Sequence, residues 1–231
     1  MSRVTAVISA YKCDKWLEGR ITNLLEQDEH PKVIAVAQEE SREQPILEKY
    51  PDVLKIYTLE TPTVYRAWNI GIKAARTEYI TSANADDRLY PGALKKMADV
   101  LDKEKTYGMV YTDIDVVTEI DGPVRTAFKW MEGGLAELIK GCFLGPMPMW
   151  RRKLHDRFGY FDEAYKSAGD YDYWMRLANG GVKFYHVRDW KAGAYLSHQA
   201  SVEKREPLLS LWEANNIRMK YREAANAQIR G

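Results

Sequence analysis

The stretch Glu78–Pro91, EYITSANADDRLYP, places a β-branched, apolar run before two adjacent carboxylates, Asp86 and Asp87, and a proline. The run EYITSA reads as a buried strand. Pro91 opens PGALKKMADVLDKE, which reads as a helix with proline in its first turn. An acid pair just beyond a strand has two readings. It is a solvated turn with an aspartate capping the next helix, or it is a set of oxygen ligands for a hard divalent cation.

The flanking sequence decides what kind of strand this is. RVTAVISA reads as a strand and CDKWLEGRITNLLEQ as a helix behind an Asp14 N-cap, with Trp16, Leu17, Ile21, Leu24 and Leu25 at helical spacing. KVIAVAQ, REQPILEKY, VLKIYTL and VYRAWNIGIKAAR continue as strand, short helix, strand and helix, and YGMVYTDIDVV adds another strand after the acid pair. Such alternation predicts an α/β fold with a mainly parallel sheet covered by helices on both faces. Ligands of such sheets bind in the crevice beyond the carboxyl ends of the strands, where Asp86 and Asp87 fall. Glu39 falls at the same end of the second strand.

Beyond Asp121 the alternation loosens. GPVRTAFKWMEGG reads as a polar, glycine-bounded loop, LAELIKGCF as a short helix and GPMPMW as an extended piece. RRKLHDRFGYFDEAYKSAGDYDYWMRLANGG reads as helix, turn at Gly159, acidic loop and a second helix ending at Gly180 and Gly181. VKFYHV and AGAYLSH read as two strands, and Val202–Gln228 as a terminal helix broken near Pro207. With no linker or repeat, the 231 residues are expected to form one domain.

Composition narrows the function. A formal charge of +1 advertises neither nucleic acid nor an anionic membrane as the partner of the bulk surface. No segment approaches the roughly 20 apolar residues of a membrane span. Cys13 and Cys142 match no zinc or C-x-x-C spacing, so two free thiols in a reducing, cytoplasmic setting are expected. Seven Trp, 15 Tyr and five Phe exceed the needs of one core and suit an aromatic-lined cleft. The dinucleotide fingerprint, the P-loop and the G-x-S-x-G elbow are absent, which disfavours those phosphate cradles and covalent acyl chemistry.

Three other positions carry candidate chemistry. Asp170 and Asp172 begin a predicted helix, where N-capping is the structural default; Asp170, set among glycine and aromatics, also suits a partly desolvated general base. His198 ends an apolar strand, as a hydrogen-bonded histidine or as a ligand to metal or phosphate. His30 and His155 are expected at the surface.

In order, these pieces resemble glycosyltransferase family 2, inverting nucleotide-sugar enzymes of the GT-A fold, from about Val4 to Ser201. VTAVISAYKCDKWLEGRITNLLEQ is similar to the family's opening strand, turn and helix, and SANADDRLYPGAL to its D-x-D stretch. WRRKLHDRFGYFDEAYKSAGDYDYWMRLANGG is similar to the segment that supplies acceptor contacts and base, and AYLSHQAS to a downstream Tyr-x-x-His-x-x-Ser. The resemblance implies Asp170 as catalytic base, and donor contacts from Ser9, Tyr11, Glu39, Arg66, Asn69, Asn84 and Asp86. It implies Asp86, Asp87 and His198 around Mn²⁺ or Mg²⁺, and acceptor contacts from Trp130, Asp172 and Trp174. It also implies a Rossmann-like sheet in a single domain, with residues 1–115 holding the nucleotide sugar, 116–201 the acceptor, and 202–231 forming a C-terminal helical segment.

The implied partners are a nucleotide-sugar donor, UDP-linked first, and an acceptor that stays open among a saccharide, a lipid-linked sugar, a small molecule and a modified nucleic-acid base. A homodimer also stays open. Asn84 stands where the family pattern has the first Asp of Asp-Ala-Asp-Asp, and Gln38, Glu39 and Glu40 replace Asp-Asp-Gly. The absence of Gln-x-x-Arg-Trp and of a membrane helix argues against a processive polysaccharide synthase. A nucleotidyltransferase and a nucleotide-sugar-binding module without catalysis are the rival readings.

Overall fold

The computed structural model describes residues 2–230, and the side chains of all of these but Val202 and 223–230. The first half builds β1 (Val4–Ala10), α1 (Asp14–Leu25), β2 (Lys32–Gln38), α2 (Gln44–Leu47), β3 (Val53–Thr58), α3 (Val64–Ala74) and β4 (Tyr79–Ser82). These are the expected units. Strands β3, β2, β1 and β4 lie side by side, all parallel. Their period-two pattern divides the core: Val4, Ala6, Ile8 and Ala10 of β1 pack toward α1, while Val7 faces α3. Gly71 permits the α3 contact, because a Cβ there would meet Val7 Cγ1 at 2.3 Å.

The chain continues through β5 (Arg88–Leu89), α4 (Ala93–Lys103), β6 (Tyr107–Val117), β7 (Thr126–Phe128), α5 (Leu135–Leu138), β8 (Met149–Arg151), α6 (Leu154–Phe158), α7 (Gly169–Asn179) and β9 (Lys183–Leu196). It ends in α8 (Val202–Arg205) and α9 (Pro207–Arg230), with the break at Pro207 that the sequence predicts. The parallel block extends into a mixed half: β8 inserts antiparallel between β4 and β6, and β9 runs parallel to β6. No described helix is long and apolar enough to cross a membrane.

Three local expectations change. Cys13, not Asp14, is the N-cap of α1; its N–H is held by the buried Glu43 carboxylate at 2.8 Å, and Asp14 becomes the first helical residue. The two strands read from VKFYHV and AGAYLSH are one strand, whose register on β6 slips between Val187 and Lys191 around Asp189, at φ 52°. His155 is buried rather than superficial. Its ring lies between Tyr160 and Tyr173, Trp150 Nε1 donates to its Nε2 at 2.9 Å, and its Nδ1 faces the Gly159 carbonyl at 2.9 Å. That set fixes a neutral ring, and burial pushes its pKa from 6.5 down to about 4.

Candidate active site

The carboxyl ends of β1, β2 and β4 open on one edge of the sheet, and the loop after β4 carries the acid pair. Asp86 and Asp87 are adjacent, yet they differ sharply. The Asp86 side chain is 24% exposed, and its Oδ2 lies 2.7 Å from His198 Nε2. His198 Nδ1 accepts the Ala200 N–H at 3.2 Å, so in its neutral form the ring keeps its proton on Nε2 and donates to Asp86. Trp16 supports the imidazole, with ring centroids 4.6 Å apart.

Asp87 is 1% exposed and both of its oxygens are engaged: Oδ1 accepts from Leu196 N at 3.1 Å and Oδ2 from Asn84 Nδ2 at 3.0 Å. Burial, with the Asp86 charge beside it, pushes its pKa up to about 7. These bonds explain Asn84, since an aspartate there would set a third carboxylate against a buried one. Beneath the pair lies Arg20, 1% exposed, whose charge Asp87 and Asp86 favour while burial lowers its pKa to about 10. Sequence reasoning missed Arg20; its signal is a charged residue on the same helix face as Leu17, Ile21 and Leu24.

Among the described residues no group of three His, Cys, Asp or Glu side chains converges as a metal cage. The donor chemistry fits a divalent cation at Asp86, where a partly exposed carboxylate would supply one hard oxygen and leave other positions to oxygen ligands that are not side chains. Asp87 and His198, the other two of the expected set, are engaged in hydrogen bonds to Leu196, Asn84 and Asp86. In this arrangement Asp87 is an internal brace and His198 a hydrogen-bond donor to the ligand.

Asn84 also borders a cleft of about 1010 Å³, together with Asp170, Trp130 and Trp174. Asp170 sits in the first turn of α7, where its Oδ1 accepts from Tyr171 N at 2.9 Å and Tyr65 Oη at 3.2 Å. The N-cap is Ala168, so neither Asp170 nor Asp172 has the capping role. Both described bonds of the Asp170 carboxylate fall on Oδ1, and burial raises its pKa above the ordinary aspartate value. Gly169 makes this placement feasible, since a Cβ there would meet the Tyr65 ring at 2.8 Å.

The aromatic walls differ in how they are held. Trp130 is partly exposed, and its N–H is anchored at 3.0 Å to Asp113 Oδ1, which also receives His186 Nε2 at 2.9 Å. Trp174 is 2% exposed and packs edge-on against Trp150, presenting only a margin to the cleft. The far wall comes from α9, through Pro207, Ser210, Leu211 and Arg218.

Seven expected contacts do not line this cleft, Asp86 among them. Ser9, Tyr11 and Glu39 stand at the ends of β1 and β2, with Tyr11 and Glu39 exposed, and Arg66 is exposed near Glu60 at the start of α3. Asn69 is buried: its side chain clamps the Phe161 N–H and carbonyl at 3.0 and 2.8 Å and reaches Glu163 at 2.9 Å, so its polar groups serve the fold. Asp172, 1% exposed, binds Arg176 at 2.6 Å and Lys220 at 3.0 Å, and it faces α9 rather than an acceptor.

An open strand-end crevice beside an acidic helix start is the architecture of GT-A sugar-transfer folds, and solved structures of that class superpose on the chain. S. aureus TarS 1–349 in complex with UDP matches with a TM-score of 0.73 at 19% identity, over 96% of this chain and 65% of that one. The Pyrobaculum calidifontis mannosyltransferase PcManGT, in complex with GDP-Man and Mn²⁺, matches with a TM-score of 0.65 at 17% identity, over 97% of this chain and 75% of that one. The family model described as glycosyl transferase family 2 matches residues 5–161, and the chain belongs to that family. An uncharacterized glycosyltransferase of Bacillus subtilis (strain 168), YwdF, is 30% identical over 142 residues, which cover 58% of this chain and 52% of that protein. The chain spans about a third to a half of the length of such curated relatives.

Proposed function

We propose that the chain transfers a sugar from a nucleoside-diphosphate sugar, with a UDP-sugar the first donor to test, to an acceptor hydroxyl, inverting the anomeric centre. The observation that carries this reading is the cleft itself, where Asn84 from the strand-end loop and Asp170 from α7 face one space. Residues 1–115 would hold the donor and 116–201 the acceptor, with α9 closing the acceptor side. That neighbours of the same fold hold UDP in one case and GDP-Man with Mn²⁺ in another supports a nucleotide-sugar donor.

Asp170 is the base. Its raised pKa gives the carboxylate more affinity for a proton than a solvated aspartate has. As the acceptor oxygen bonds to the anomeric carbon, its proton passes to the Asp170 carboxylate. The bond from that carbon to the diphosphate oxygen breaks, and the electron pair leaves with the nucleoside diphosphate. Asp86 would hold Mg²⁺ or Mn²⁺, which when bound neutralises charge on the diphosphate. His198 orients Asp86 through its Nε2–H, and the Trp130 face packs against the acceptor while limiting water.

The test is an assay for nucleoside diphosphate release from a panel of UDP- and GDP-sugars with Mn²⁺. Release of UDP or GDP, lost in Asp86→Ala, is the expected result. Pyrophosphate release from a sugar phosphate and nucleoside triphosphate, or tight donor binding without any release, overturns the reading in favour of one of its rivals.

A further inference from the structure

Glu213 lies on α9, remote in sequence from the acidic segment, yet it is 3% exposed. Its carboxylate gathers three consecutive backbone donors ahead of α7. Oε1 accepts from Lys166 N at 2.9 Å, and Oε2 from Ser167 N at 2.9 Å and Ala168 N at 2.8 Å. Among the described residues no Lys or Arg pairs with it, and the partners of its carboxylate there are backbone N–H groups, the short, strong class of hydrogen bond. Ser167 Oγ and Ser210 Oγ add a contact at 2.7 Å.

This clamp acts where the base begins. The Ala168 carbonyl accepts Asp172 N at 3.0 Å, the first turn of α7, and Asp170 follows Ala168 by two residues. Gly169 lies directly against the Tyr65 ring, and Tyr65 Oη reaches Asp170. The path from Lys166 to Asp170 is thus fixed by Glu213 on one side and by Tyr65 on the other. A neutral amide oxygen offers too few lone pairs for all three N–H groups, and that of the buried Ala168 has no water to replace the lost acceptor.

We propose that Glu213 is a positioning residue for Asp170, so that α9 completes the catalytic apparatus as well as walling the cleft. The proposal rests on the reading of Asp170 as the base. Glu213→Gln keeps length and volume but turns one oxygen into a donor, leaving at least one of the three N–H groups without its acceptor. Displacement of a catalytic group by about 1 Å costs up to about 10²-fold in rate.

The experiment measures kcat and donor KM for Glu213→Gln, Asp170→Asn and the double variant, with Lys220→Met as a control that loosens α9 from α7 without touching the clamp. The expected result is a kcat lower by about 10- to 10²-fold in Glu213→Gln, donor KM within about twofold, and no further loss when it is added to Asp170→Asn. Wild-type kcat in Glu213→Gln overturns the proposal. So do losses that multiply in the double variant, or an equal loss in Lys220→Met, which marks general loosening. If Asp170→Asn itself keeps full turnover, the base reading has failed and the proposal falls with it; failure of the proposal alone leaves the Asp170→Asn loss intact. Should Glu213→Gln give no folded protein, Glu213→Asp retains the charge without the reach and is judged by the same criteria.

Discussion

The two acid pairs divide their work in the same way by different geometry. Asp86 and Asp87 are neighbours in a turn closed by the Asp87 N–H on the Asn84 carbonyl; one side chain stays partly exposed and the other goes inward. Asp170 and Asp172 are two apart on a helix, about 200° around its axis, so one faces the cleft and the other faces α9. The buried partners then differ. Asp172 is met by two cations in direct contact, whereas Asp87 has neutral hydrogen-bond donors and the more distant charges of Arg20 and Arg88. An acid pair in sequence therefore marks a place, and the local backbone decides which member is left open to a ligand.

The largest effect expected from this division is at Asp170. Asp170→Asn should lower kcat by about 10² to 10⁴ fold, the span for loss of a general base, with donor affinity nearly unchanged. In the wild type the rate should fall as pH drops through the Asp170 pKa, at an inflection above the ordinary 3.8. The folded-state pKa is raised, so the stability linked to it is complete below the unfolded value and is lost as pH rises through the folded one. Asp170→Asn is accordingly expected to be inactive yet at least as stable as wild type at neutral pH, measured by urea unfolding. An inactive but markedly less stable variant would move Asp170 to a structural role.

How much of this was legible is clearest beside α7. The first four strands and their helices follow from period-two and helical patterns, because each buries against near neighbours in the chain. Asp170 was legible as a candidate from its Gly and Tyr surroundings. Its neighbours through space were not: Glu213 and Lys220 arrive from α9, and Tyr65 from α3. His155 failed for the same reason. Its local sequence RRKLHDRF is polar, and the rings that bury it come from Tyr160 and Tyr173. The bulge of β9 reads as a gap because RDWK is polar, although both flanks pair with β6. Asn69 and Asn84 show the limit of pattern matching, since an amide reads alike whether it meets a ligand or a buried backbone.

His155 provides the second test, on the structural side of α7. Its depressed pKa means that protonation favours the unfolded chain: stability is complete above about pH 6.5 and lost as pH falls toward about 4. The difference corresponds to about 3 kcal/mol. Urea unfolding at pH 7 and pH 4.5 should show a steeper acid loss in wild type than in His155→Phe, whatever the variant's starting stability. Equal slopes would mean that the ring is not held neutral.

A smaller effect is expected at the buried acid of the helical pair. Asp172→Asn keeps the shape but removes the charge shared by Arg176 and Lys220. The side chains of these cations are 28% and 57% exposed and can rehydrate, so the cost should be near 2 kcal/mol rather than the larger penalty of a fully buried break. Turnover should stay within about threefold of wild type, since Asp172 does not line the cleft. A loss of turnover comparable to that of Asp170→Asn, with stability intact, would break the division between the two residues.

The smallest effect belongs to Lys220, and it separates the two cations that meet Asp172. Arg176 bonds Asp172 Oδ2 at 2.6 Å and also ties down the carbonyls of Phe158 and Tyr160 at 2.9 and 2.8 Å, so its place is fixed from several sides. Lys220 offers one bond, to Oδ1 at 3.0 Å, from a side chain that is more than half exposed. Lys220→Met should therefore cost under about 1 kcal/mol, with the difference from wild type shrinking in high salt. In the Asp172→Asn background the same change should cost almost nothing, because its partner charge is gone. If Lys220→Met alone destabilises as much as Asp172→Asn, the lysine rather than the arginine holds Asp172 inward, and α9 is then the element that keeps the second acid out of the cleft.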